Sequence, residues 1–573
     1  GTGWLFLPDS AVRIQSRDSA FVFGSVSRAD ARLIVNGREV PVHPGGGWIA
    51  WLPLDDDSIA RFDLVAATGT ELVRATYLMP LEPRYQPPWF GPWIDTTSFA
   101  PSGELWVGPD EDYTLSVRAT PGAAVRLVAP DGRTAAMVPD GSADRYVATW
   151  SGSFGPDPGP ALAQTSRAGL PDSVWVWVEI TAQGDTARAR WPLRVGTIDP
   201  RRPPIVVVDD DTAATGLTDS VLAGRPVPYG TYHWFFPTGT VAAVSGRLND
   251  QVRLRLSSRS VAWVDAVEVH ALPAGTPPPR GAVGSMRVFR GEDAATLRIP
   301  LPARVPFSVE ETERTLRLTL YGVAADMDWI QYGEGDSLVR LVSFAQPAAD
   351  ETVVTLELSD PVWGYRARWS GNDLMLQVRR PPRIDPRRPL RGRRIALDPG
   401  HPPLGSTGPT GVREPDVTLA VAVRARDLLQ AAGAEVVLLR TSDVPLGTAE
   451  RVVAAERADA DVLVSIHANA LPDGVNPFVN NGTSVYYFHP RSAELARAID
   501  RALVRQFGFR DLGVGRGDLA LARPTWMPAV LAEGLFMMIP EQEAVLASAD
   551  GQLRYARGIV EGITEFLRSR SGR

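Results

Sequence analysis

The sequence predicts a multidomain protein: β-rich N-terminal modules over about two thirds of the chain, then an α/β domain with a mostly parallel sheet flanked by helices. Three observations carry this reading. The chain has 573 residues, enough for about three to five domains at ~100–200 residues each. In the first two thirds, short apolar–polar alternations are punctuated by turn signals, the pattern of half-buried strands. From Arg393 onward, short apolar runs are instead separated by helical patterns, the signature of an α/β sheet.

Composition excludes several classes. Hydrophobic content of 44% and charged content of 22% are those of a globular protein. The net charge of −7 argues against a nucleic-acid binder, which presents a basic face. All 59 basic residues are Arg, and a GC-rich coding bias explains that better than any function. Cysteine is absent, so any metal must be held by His and carboxylate. No apolar run approaches the ~20 residues of a membrane span. The chain starts at Gly1 rather than Met, which suggests a processed or truncated chain, with a signal peptide expected to have been removed.

The modules follow in order. Residues 1–83 read as an Ig-like β-sandwich. Phe21 to Val26 and Ala31 to Val35 are strands, Asn36-Gly37 is a tight hairpin turn, and Trp48 to Leu52 and Phe62 to Ala66 continue the pattern. Residues 84–198 read as a second sandwich, opening on a Pro/Trp-rich stretch, Pro87 to Trp93, expected to pack an inter-domain joint. Ile198-Asp199-Pro200-Arg201-Arg202-Pro203 recurs in type at Ile384 to Pro389, and both Pro-rich segments are predicted linkers. Between them, residues 199–276 resemble a bacterial SH3-like wall-binding module, on Gln251 to Leu256, Ala262-Trp263-Val264 and Leu272-Pro273. Residues 277–383 resemble the AMIN domain found beside cell-wall amidases, on Trp363-Gly364-Tyr365 followed by Trp369 and a Gly turn.

Residues 391–573 carry the chemistry. Ile395 to Asp398, Val436 to Leu439, Val462 to Ile466, Ser484 to Phe488, Leu519 to Ala522 and Ala529 to Ala532 are the predicted strands. Asp416 is predicted to cap a helix reaching Ala432, and Thr448 to Ala458 is a second helix. Ser492 is placed to cap a third, with Leu495, Ile499, Ala502, Leu503 and Phe507 on its apolar face. Leu553, Ala556, Val560, Ile563 and Leu567 form the closing helical stripe. His401, His467 and Glu533 each lie at or just beyond a strand end, where ligands bind in open α/β sheets.

A catalytic zinc takes three protein ligands and keeps one open position. His401, Glu414 and His467 suit the metal, which leaves Glu533 as the carboxylate that moves protons. Burying such a carboxylate at the end of an apolar strand is costly without a partner, which favours a functional role. Asp398 either orients a ligand from behind or closes the turn at Pro399. His43, His233 and His270 lack a partner at suitable spacing and read as surface or packing residues. His489 reads as a solvated loop histidine.

These motifs resemble the family 3 N-acetylmuramoyl-L-alanine amidases. The resemblance rests on Asp398-Pro399-Gly400-His401, Glu414 after Gly408-Pro409-Thr410-Gly411, Arg440-Thr441-Ser442-Asp443, Ser465-Ile466-His467-Ala468-Asn469, Gly482 to Tyr487 and Pro528 to Glu533. It covers residues 393–568 with every anchor in order. It implies Zn2+ on His401, Glu414 and His467, a catalytic Glu533, and cleavage of the amide joining muramic acid to L-alanine in peptidoglycan. It also implies a cell-envelope setting, periplasmic or extracellular, with room for an envelope or divisome-type protein partner. The chain departs from the family at Pro402-Pro403, at Pro415 and at Leu535-Phe536-Met537-Met538-Ile539. These departures bear on substrate preference, and none removes a ligand or the base. Two alternatives stay open: a wall-binding scaffold with a degenerate amidase domain, which zinc content discriminates, and a zinc hydrolase of another amide, which product analysis discriminates.

Overall fold

The computed structural model describes residues 5–6, 18–54, 59–69, 71–81, 87–154, 175–209, 221–333 and 336–571; Gly1 lies outside them. A large β-rich region precedes one domain that holds all the long helices described. Among the described residues no helix is long and apolar enough to cross a membrane.

The first module turns where the sequence predicts. Asn36 and Gly37 have φ of 46° and 75°, the left-handed pair that a two-residue type I′ loop requires. Strands Ser19–Val26 (β1) and Gly47–Pro53 (β2) pair antiparallel. A second sheet contains Arg38–Val40, Arg32–Val35, Ile59–Thr68 and Glu71–Pro80. Side chains alternate along β1, so Val22 and Val26 join Leu33, Trp48 and Phe62 in the core, while Phe21 and Phe23 stay outside it.

Next comes a seven-stranded sheet spanning Ile94–Ala100 to Asp185–Arg190. Strand Gly103–Val107 leaves it to pair parallel with Leu193–Thr197 and antiparallel with Val241–Leu248. Sheet pairing thus continues across the linker expected at Ile198 to Pro203. Trp89 and Phe90 are 64% and 82% exposed, so they do not fill the joint that the sequence suggested. Residues 286–379 form a five-stranded and a four-stranded sheet around Leu297, Leu318, Leu356 and Leu376. This module is tied to the last domain by buried ion pairs of Glu311 with Arg491, and of Arg379 with Asp461 at 3.1 Å.

The last domain alternates strands and helices. Its elements are β3 (Arg394–Pro399), α1 (Glu414–Ala431), β4 (Glu435–Leu438), α2 (Thr448–Arg457), β5 (Val462–Asn469) and β6 (Thr483–Tyr487), then α3 (Ala493–Phe507), β7 (Asp511–Arg516), β8 (Ala529–Phe536), α4 (Pro540–Ala547) and α5 (Ala549–Ser569). The sheet order is β4-β3-β5-β8-β6-β7. The β8–β6 pairing is antiparallel and the other four are parallel. Helices α1, α3 and α5 share one apolar core with the sheet, and α2 contributes Ala455 to a second core with Leu463 and Trp526.

Three local expectations are corrected. Helix α1 begins at Glu414, ahead of Asp416; Pro415 suits the first turn, where an N–H has no helical partner anyway. Leu519 to Ala522 is not a strand but includes a 3-10 turn, Ala520–Ala522. The edge strand is β7, hidden in the sequence by Gly513 and Gly515; a Cβ on Gly515 would lie 2.9 Å from the Tyr486 ring. Ser492 does precede α3, yet its Oγ accepts from Ala529 N at 3.0 Å instead of capping the helix.

Candidate metal centre and active site

Parallel pairing brings the site together. β5 lies between β3 and β8, and His467 stands opposite Glu533 in the β5–β8 register. His401 follows β3, and Glu414 opens α1. One ligand-type atom each from His401, Glu414 and His467 lies within 4.8 Å of the other two. His401 Nε2 is 3.3 Å from Glu414 Oε1, and His467 Nδ1 is 3.2 Å from the same oxygen.

Each side chain is held from behind. His401 Nδ1 lies 3.0 Å from Pro403 O, which turns Nε2 towards Glu414. Glu414 Oε1 accepts from Ala468 N at 3.1 Å, and Oε2 accepts from Ser406 N and Oγ at 2.9 and 2.8 Å. The His467 ring packs over Gly400, where a Cβ would come within 2.5–2.7 Å of the imidazole. Only glycine fits there, which gives the Asp-Pro-Gly-His motif a physical reason. The Tyr555 hydroxyl lies 2.8 Å from His467 O and 3.0 Å from Ala532 O, so it bridges the ends of β5 and β8. Its ring occupies the space a side chain on Gly534 would need.

Two buried arginines grip the His401 loop. Arg451 pairs with Asp398 at 2.7 Å and donates to Pro399 O at 2.7 Å and Pro402 O at 2.8 Å. Arg440 donates to Pro399 O at 3.1 Å and Pro415 O at 2.9 Å. Asp398 also accepts from Ser465 Oγ at 2.6 Å. Asp398 thus fixes the loop carrying His401 through Arg451. His401 itself has φ of 59°, a left-handed conformation uncommon for a side-chain-bearing residue, and this grip sustains it.

Charge separates the two carboxyls. Burial pushes Glu414 up, but hydrogen bonds from His401 and His467 outweigh it and hold the group well below the usual carboxylate range. Burial pushes Glu533 up to about 7, with His467 opposing and Glu414 adding to the rise. Glu533 Oε2 is buried with no hydrogen-bond partner. One carboxylate is therefore suited to hold a cation, and the other to exchange protons near neutral pH.

The remaining histidines stay outside the site. His489 is buried rather than solvated: its Nε2 lies 2.8 Å from Arg523 O, its ring packs edge-on against Tyr365, and burial pushes it well below its ordinary value. His43 Nδ1 accepts from Gly45 N at 3.1 Å, His233 lies edge-on to Trp234, and His270 sits 3.8 Å from Asp209. Arg451, Ser406 and Tyr555 were not singled out from sequence. Tyr555 has a sequence signal, since it falls on the α5 face beside Ala556 and Ile559.

The fold and site define an α/β domain with a His-Glu-His cluster of metal-ligand type beside a half-buried glutamate whose Oε2 has no hydrogen-bond partner among the described residues. The family profile described as N-acetylmuramoyl-L-alanine amidase matches residues 395–565. The germination-specific N-acetylmuramoyl-L-alanine amidase of Bacillus subtilis is 32% identical over 197 residues, covering 31% of this chain and 81% of that protein. This chain belongs to the N-acetylmuramoyl-L-alanine amidase family, a family of hydrolases. Amidase LytC of Bacillus subtilis is 34% identical over 186 residues, covering 31% of this chain and 36% of LytC, so the match spans about a third of that relative. Among solved structures, the catalytic domain of the amidase CwlV from Bacillus (Paenibacillus) polymyxa is 34% identical, with a TM-score of 0.28, covering 30% of this chain and 98% of that one.

Proposed function

We propose that this protein is a peptidoglycan hydrolase that cleaves the amide between N-acetylmuramic acid and the L-alanine of the stem peptide. One observation carries the reading: His401, Glu414 and His467 converge within 4.8 Å beside the unpaired Glu533 Oε2. The donor set fits Zn2+. Tetrahedral bonds of ~2.0–2.1 Å set donor atoms about 3.3 Å apart, and both contacts to Glu414 Oε1 match that spacing, at 3.3 and 3.2 Å. His401 Nε2, His467 Nδ1 and Glu414 Oε1 would hold the ion. Zinc bound there supplies Lewis acidity to the scissile carbonyl and acidifies water at neutral pH.

The protein's own groups do the rest. Glu533 Oε2 takes a proton from the attacking water and returns it to the departing L-alanine nitrogen. Burial raises its proton affinity in the metal-free protein, which favours its taking up the proton. Arg451 and Arg440 keep the His401 loop from drifting, and Tyr555 holds the His467 and Glu533 strand ends in register. The intact cluster argues against the scaffold reading, since the altered loops leave all four side chains in place.

Residues 1–383 are read as the Ig-like, second sandwich, SH3-like and AMIN-like modules anticipated above, with boundaries at 83, 198 and 276, in a protein of the cell envelope. Mass spectrometry of digested peptidoglycan tests the function. Stem peptides with a free L-alanine amino terminus support it, and release of any other fragment replaces it with a hydrolase of another bond.

A further inference from the structure

The apolar segment after Glu533 faces two ways. Leu535 and Met537 are fully buried in the core of their own domain. Phe536 and Met538 point the other way and are only 3% and 4% exposed, because Ile49 of the first module packs on them with Phe21 and Phe23 alongside. These are the outer-face side chains of β1 and β2, and Phe23 and Ile49 are direct cross-strand partners. Leu471 and Ile539 complete the contact. Two residues before Ile49 on β2, a Cβ on Gly47 would lie 3.2 Å from Pro540 Cβ, 3.3 Å from Pro409 Cβ and 3.4 Å from Thr410 Cγ2. Thr410 is itself pinned by its N and Oγ1 to Glu543 Oε1, both at 2.9 Å.

The first module therefore touches all three segments that frame the site: the loop before Glu414, the turn after His467 and the turn after Glu533. It leaves the centre open, since the His401 and His467 side chains keep 25% and 17% exposure. A module of ~80 residues has a radius of gyration of about 12 Å, and this one packs directly on the segments that flank the metal-ligand cluster. Its aromatic face is spent on the contact and is not free to stack on sugar rings. The family match begins only at residue 395, so the chemistry is complete without this module.

We infer that the first module is a built-in wall of the substrate cleft that selects substrate by size, admitting soluble muramoyl-peptides and hindering access by the polymeric, cross-linked mesh. The inference rests on the amidase reading and adds a specificity surface, Ile49 and Gly47 against Phe536, Met538 and Pro540. The apolar run at Leu535 to Ile539 then has a cause: it is the landing site of the wall.

Because the chain contains no cysteine, the wall can be locked and unlocked in the full-length, zinc-loaded protein. Gly47→Cys with Pro540→Cys places two thiols on Cβ positions 3.2 Å apart, a few tenths below the usual ~3.5–4.5 Å of a disulfide. Ile49→Asp puts a carboxylate into the apolar contact and unlocks it; Gly47→Glu does so against Pro540 and Pro409, should the first variant fail to fold. Hydrolysis of a soluble muramoyl-peptide and of intact sacculi is measured for each. The expected result is cross-linking on oxidation, soluble-substrate rates within about twofold for all forms, and an unlocked rate on sacculi at least about fivefold above the locked one. Absence of a cross-link, or equal rates of locked and unlocked forms on sacculi, overturns the wall while soluble turnover keeps the amidase reading intact. No soluble turnover by zinc-loaded wild type overturns both.

Discussion

His467 and Glu533 stand directly opposite each other on adjacent parallel strands, with the Tyr555 hydroxyl bridging the two strand ends. The imidazole and the carboxyl are thereby fixed by backbone register rather than by loop conformation. The proposed mechanism assigns metal holding to the first and proton transfer to the second, so it predicts that the two roles can be removed independently.

Glu533→Gln keeps the shape of the side chain and abolishes its proton exchange. Amide hydrolysis should fall by about 10²–10⁴, the usual worth of a positioned acid–base group. Zinc stoichiometry, read by elemental analysis, should stay at the wild-type value. A variant that hydrolyses at wild-type rate removes Glu533 from the mechanism.

The same substitution should stabilise the metal-free fold at high pH. Glu533 titrates near 7 in the fold against 4.5 for the unconstrained group. Below 4.5 both states hold the proton and no penalty exists. Between the two values only the unfolded chain has released it, so the wild type loses stability as pH rises, by on the order of 3 kcal/mol in total. Glu533→Gln lacks this slope. Its melting temperature should exceed that of the wild type at pH 8 and converge with it toward pH 4.

His401→Ala and His467→Ala each delete one of three donors. Zinc content after dialysis should drop well below one ion per chain, while circular dichroism stays that of the folded protein. Retention of one tightly held zinc in either variant would sink the ligand assignment.

Arg451→Leu leaves Asp398 buried without its cation. Breaking a buried pair of this kind costs about 3–5 kcal/mol, and here it also frees the carbonyls of Pro399 and Pro402. The melting temperature should fall, and zinc affinity with it, because the His401 loop loses its grip. Unfolding curves and zinc titration under one set of conditions check both effects.

Much of the candidate site was legible from sequence because its residues sit inside strand-end motifs whose neighbours are constrained. Gly400 must lack a side chain beneath His467, and Gly534 must lack one beneath Tyr555. The strand β7 was not legible, because Gly513 and Gly515 erase its alternation. Helix α1 was placed slightly late, since a proline inside its first turn reads as an interruption. The arginines around His401 and the packing of Ile49 on Phe536 depend on contacts between residues far apart in the chain. No local pattern announces those, although the apolar run at Leu535 to Ile539 marked the place.

The most direct measurement is the rate of muramoyl–L-alanine amide hydrolysis by protein stripped of metal, by the same protein given back one equivalent of zinc, and by Glu533→Gln given the same zinc. The account predicts no hydrolysis, full hydrolysis and hydrolysis lowered by about 10²–10⁴, with equal zinc bound in the last two. Hydrolysis by the stripped protein, or by zinc-loaded Glu533→Gln at the wild-type rate, would contradict it.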